Sequence, residues 1–238
     1  MGSPAFSDGR QLDVAAVRAA LDQVGAGKLA ELPVMSSAEL YALGALSHPV
    51  LDAEALAWWS SQGDREKIAR LAYDVMARRK LLDPGTGRVS PPLGLILAGR
   101  SRPAFILLTR DKPAGEPRAA RMYGVADESG ARAVLVERTA PNPGAWTGPV
   151  YRFLLTGIAS EAAALAQWAS GGKHRTLDLY RPGSGTATPS ERLVVTPARR
   201  HKLSVDRQTP GAEPAESLAC DQQGLASLVV SIMTGGAL

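Results

Sequence analysis

A chain of 238 residues, 45% of them apolar, is long enough for one large domain or two small ones around a sizeable core. No run approaches the roughly 20 consecutive apolar residues that cross a bilayer, residues 1–10 lack the basic region and apolar core of a signal peptide, and the lone Cys220 forms no internal disulfide. The composition therefore predicts a globular, cytoplasmic protein. The net charge of +4 raises nucleic-acid binding, but residues 1–100 carry 11 charges of each sign, and the whole excess, 16 basic against 12 acidic, falls in 101–238.

In chain order, Gln11 to Val24 reads as a short amphipathic helix closed by Gly25 and Gly27. After a break at Pro33, Ser36 and Glu39 have the spacing of a capping box, which predicts a second helix to about Leu46. Asp52 is then read as the cap of a third helix carrying Trp58 and Trp59. Adjacent helical residues point ~100° apart, so one of these rings belongs to a core and the other to the edge of an interface. The strongest helical pattern runs from Asp64 to Leu82. Ile68, Leu71, Ala72, Val75, Met76 and Leu82 form its buried stripe, Asp64 its N-cap, and Asp83-Pro84-Gly85 its stop. The following turn passes Pro91 and Pro92 into an apolar segment, Leu93 to Leu97. Everything before Asp64 reads as helix, and the order of helix, turn and short exposed segment is that of a winged-helix module after its recognition helix.

From Ala104 the pattern becomes that of strands. Segments 104–109, 119–126, 131–137 and 150–156 are rich in apolar, β-branched or aromatic residues, and Asp127 to Gly130 reads as a tight antiparallel connection. A helix follows over 160–170, ended by Gly171 and Gly172. A shorter cycle then repeats the order, with strands at 174–180, 191–196 and 201–206 and a closing helix from Asp221 to Met233. The Pro/Gly/Ser-rich tracts 183–190 and 209–216 read as loops. The expected fold is α+β: a winged-helix-like helical module over 1–100, then a mostly antiparallel sheet with two packed helices over 101–238, its strand-plus-helix order pseudo-duplicated.

No motif names a reaction, so the chain is read as a non-enzyme. His48, His174, His201 and Cys220 form no close ligand pair, and no G-x-S-x-G elbow is present. The glycines at 85 and 87 and at 183 and 185 lack the strand, the full glycine pattern and the Lys-Ser/Thr pair of a phosphate loop. Cys220 is read as a small core residue in a helix. Two binding readings remain. Aromatic and basic candidates for a protein partner are Trp59, Trp146 in its Pro/Gly-rich loop, and Arg199 and Arg200 in the basic stretch 173–207, which suits an acidic protein surface. The alternative is a winged-helix transcriptional regulator whose Arg70, Arg78, Arg79 and Lys80 meet DNA. Against that alternative, Asp64, Glu66 and Asp74 interrupt the basic face.

The helix-to-sheet junction, Asp64 to Asp83, then Gly87 to Leu97 and Arg102-Pro103, resembles the EspG family of type VII secretion chaperones. Asp221 to Val230 is similar to that family's final helix, and the doubled strand-plus-helix order is similar to its pseudo-twofold mixed fold. The family's tryptophan-acid and glycine-arginine-tyrosine features before the last helix are absent here. The resemblance implies a cytosolic, cofactor-free chaperone that shields an aggregation-prone helical secretion substrate.

Overall fold

The computed structural model describes residues 14–25, 27–46, 52–110, 120–127, 130–140, 147–171, 174–181, 188–198, 202–209 and 217–235. Among them the chain order is α1 (Val14–Gly25), β1 (Ala30–Ser36), α2 (Ser37–Ala42), α3 (Ala53–Ser61), α4 (Arg65–Arg78), α5 (Pro91–Ser101), β2 (Ile106–Arg110), β3 (Arg121–Asp127), β4 (Gly130–Ala140), β5 (Val150–Gly157), α6 (Ile158–Ser170), β6 (Arg175–Tyr180), β7 (Glu191–Pro197), β8 (Leu203–Gln208), β9 (Leu218–Cys220) and α7 (Gln222–Thr234). The strands follow the order β1-β5-β4-β3-β2-β6-β7-β8-β9. Each pair with a described register is antiparallel, as in Leu108↔Asp178 and Asp178↔Arg192. The α+β class is as expected, with helices near both ends of the chain.

Four elements differ from the sequence expectation. The break at Pro33 is the middle of strand β1, outermost among the described strands. Proline donates no ladder hydrogen bond, and an edge position tolerates that loss. The apolar segment after Pro91 is helix α5, buried from Leu93 to Leu97; proline's fixed φ suits a helix's first turn, where no intrahelical N–H bond is lost. Cys220 ends strand β9, opposite Leu203, and is not helical. Helix α4 ends at Arg78, five residues before the Asp83-Pro84-Gly85 stop. There Lys80 takes a left-handed φ of 57°, and its N–H donates to the Ala77 carbonyl at 2.9 Å while that of Leu81 donates to Met76 at 2.9 Å. This bond pair is a Schellman cap with lysine in the position glycine usually holds.

Two compact units divide the chain, the first formed by Met1–Asp22, Glu31–Ser101 and Glu137–Leu154, the second by Gln23–Ala30, Arg102–Val136 and Leu155–Leu238. A single cut at residue 100 does not describe them, since the end of β4 and most of β5 join the first unit.

In the first unit, α2 packs on α3 and α4, with Met35, Leu40, Trp59, Met76, Leu93 and Ile96 buried. Full burial of such a side chain contributes about 1.5–3 kcal/mol. Asp52 precedes α3 but makes no side-chain cap. Its carboxylate instead accepts from Arg100 Nη2 at 2.5 Å. Arg100 also donates from Nη1 to Glu137 and from Nε to the Ala45 carbonyl at 3.1 Å. All three charged side chains are buried. Gly148 is left-handed at φ 67°, and a β-carbon there would lie 2.5 Å from the Trp58 ring, so both backbone and packing require glycine.

In the second unit, α6 and α7 lie against each other, α6 also meets β7, and α7 meets β8 and β9. Ala162, Ala166 and Ala169 on α6 and Leu225, Val229 and Ile232 on α7 are buried; the alanines let the helix axes approach closely. Asp221 caps α7, its side chain accepting from the Gly224 N–H at 2.7 Å. Among the described residues, no helix is long and apolar enough to cross a membrane.

Candidate functional site

The site is built on the capping box that the sequence spells out. Ser36 Oγ accepts from the Glu39 N–H at 3.2 Å, and Glu39 Oε2 accepts from the Ser36 N–H at 2.7 Å and from Ser36 Oγ at 3.0 Å. These bonds start α2 and fix the Glu39 carboxylate, which is buried. Its other oxygen accepts from Arg79 Nη1 at 2.7 Å, while Arg79 Nη2 donates to the Val34 carbonyl at 2.7 Å. One guanidinium therefore joins the C-terminal end of α4 to α2 and to β1. Arginine suits this task because its planar fork reaches two acceptors without bending. Its side chain remains 37% exposed.

Beside this joint lies a groove of about 250 Å³ lined by Val34, Ser36, Glu39, Ala72, Val75, Arg79, Thr147 and Val150. Its lining is mostly apolar, and among the described residues Arg79 is its one cationic member. Val34 is 41% exposed, and Leu71, on the outer side of α4, is 43% exposed. Leu71 was expected in the buried stripe, yet α4 buries only Ala72 and Met76. The volume falls below the ~300–1,000 Å³ of small-molecule sites and suits one or two side chains. Among the described residues, no three His, Cys, Asp or Glu side chains converge as metal ligands.

The sequence candidates have separate fates. Trp59 is only 4% exposed and stacks on Tyr41 with ring centroids 3.7 Å apart, so it is a core residue and not a surface anchor. Trp146, Arg199 and Arg200 lie outside the described residues. Arg70, Arg78 and Lys80 are exposed, whereas Arg79 is held by Glu39 and Val34. At ~100° per residue, Lys67, Arg70, Asp74 and Arg78 share the outer face of α4, with Asp74 in its midst; all four are exposed.

The described arginines of the basic stretch 173–207 are spent internally. Arg192 binds Asp178 through Nε at 2.6 Å and Nη2 at 3.2 Å, and Arg110 reaches the same carboxylate at 3.1 Å. The hydrogen bond to Asp178 holds the Arg192 guanidinium above its ordinary pKa. Burial pushes the Tyr180 phenol up, and the Asp178 charge adds to this. Arg207 pairs with Glu191 at 2.6 Å. Arg181 donates to the Ile232 carbonyl in the last turn of α7, where a cation also favours the helix dipole. Arg175 lies 4.5 Å from the Trp168 ring centroid, within cation–π range.

Sequence reasoning missed Val34, Val150 and the Glu39–Arg79 pair. The two charged partners are 40 residues apart, a separation that carries no local signal, while Pro33 disguised the strand presenting Val34. No protein-family model matches the chain, and no curated protein matches it.

Proposed function

We propose that this chain is a non-catalytic protein-binding protein of the cytoplasm, a chaperone or adaptor that shields part of a secretion substrate in the manner of the EspG-like family. The observation that carries this reading is the open apolar groove beside α4, with Val34 at its rim. Apolar grooves rimmed by polar residues mark interaction sites, and the frame of capping box and Arg79 lets a partner dock without ordering the site first.

A photo-crosslinking amino acid placed at Val34 in the native host tests the reading. The expected result is one defined secretion-substrate protein crosslinked from Val34, which stays soluble when co-expressed with the intact chain and aggregates when co-expressed with Val34→Asp. Equal solubility with and without the chain would overturn it.

One observation favours DNA binding as the second reading: beyond α4, Leu82 bridges Val89 in antiparallel register, a small hairpin placed as a wing follows a recognition helix. That reading expects duplex affinity to fall steeply with salt and to be lost in Arg70→Ala and Arg78→Ala.

A further inference from the structure

We infer that the groove beside α4 takes an acidic amphipathic segment of the partner, one apolar side chain seated on Ala72, Val75 and Val150 and a neighbouring carboxylate paired with Arg79. This rests on the protein-binding reading above and adds the chemistry of the occupant.

The charge that remains available at the groove selects the occupant. Both Glu39 oxygens at the groove are already engaged, by Ser36 and by Arg79, and the carboxylate is buried, so it offers little to a cationic ligand. Arg79 uses one N–H from each Nη on internal acceptors. Among the described residues its Nε–H has no acceptor, and the side chain is 37% exposed. The nearest carboxylate on α4, Asp74, lies on the outer face with Arg78, and neither lines the groove. Glu31 alternates to the face of β1 opposite Val34. The groove thus pairs a mostly apolar lining with the Arg79 cation, and a carboxylate there gains a charge-assisted bond to a planar, already oriented guanidinium. A basic segment would meet the Arg79 cation and no available anion.

The experiment uses the full chain and three fluorescent helical peptides that differ only in the residues flanking a central leucine: glutamate, glutamine or lysine. Binding is followed by anisotropy at two salt concentrations. The glutamate peptide is expected to bind most tightly, and to weaken by about tenfold with Val34→Asp, as loss of an interface anchor does. Arg79→Gln is expected to cost about tenfold for the glutamate peptide and little for the glutamine peptide. Because Arg79 also supports α2, a thermal melt accompanies it, and the glutamine peptide, expected to bind Arg79→Gln and the parent alike, reports that the groove itself is intact. Equal binding of the three peptides with sensitivity to Val34→Asp would overturn the acidic preference while leaving the protein-binding reading intact. Tightest binding of the lysine peptide, insensitivity to Val34→Asp, or displacement of the glutamate peptide by a DNA duplex would overturn the inference. Absence of binding by all three, with no Val34 crosslink in the host, would overturn both.

Discussion

Lys80 sits where the backbone favours glycine. A left-handed φ costs an ordinary L-residue about 1 kcal/mol, and glycine returns about 0.5 kcal/mol of that through its larger unfolded entropy. Lys80→Gly is therefore expected to stabilise the protein by about 0.5 kcal/mol in a denaturant titration; a loss of stability would mean that the lysine side chain does more than occupy the cap. Tyr180 supplies a pH signature. Its folded pKa is raised, first by burial and then by Asp178, so its contribution to stability is complete below the ordinary tyrosine value of about 10. The contribution is lost as pH rises beyond that value towards the folded pKa, because the unfolded chain ionises first. Denaturation measured across this alkaline window should fall less steeply for Tyr180→Phe than for the parent, and identical slopes would contradict the assignment.

At the scale of elements, the capping box is the joint to test. Ser36→Ala removes the acceptor for the Glu39 N–H and one donor to its carboxylate, with an expected loss of about 1 kcal/mol; Ser36→Thr should retain most of it, as read by thermal unfolding. This box, the Asp64 N-cap and the strands between 104 and 208 were legible because their signals are local: a side chain bonds a backbone three residues away, or apolar residues alternate. Strand β1 was hidden because a proline that interrupts a central strand is tolerated on an edge. The three-residue β9 is too short for alternation to register. The early end of α4 was illegible because Lys80 carries no propensity for the conformation it adopts, and the sequence's evident stop lies beyond it at Asp83. Asp52 was read as a cap from its neighbours, whereas its partner Arg100 lies 48 residues downstream.

At the scale of the whole molecule, charge is the theme. The net +4 suggests an anionic partner, yet the described arginines of the basic stretch close internal bonds to Asp178, Glu191, the Ile232 carbonyl and the Trp168 face. Composition counts these charges; only the fold shows how few remain available. The buried Asp52–Arg100–Glu137 cluster of the first unit gives the largest expected effect. Arg100→Met strands two carboxylates and should cost about 3–5 kcal/mol, most of it recovered when Asp52→Asn and Glu137→Gln are added. A cost below about 1 kcal/mol for the single variant would show that the cluster is not closed to water.

Pro33 has one more effect. On the outermost strand it has no N–H to offer an incoming chain. The rim is thereby blunted against fibril-like stacking of one copy on another, so a visitor to this side must be recognised by its side chains. Restoring the amide with Pro33→Val should let copies associate edge to edge, visible as concentration-dependent light scattering.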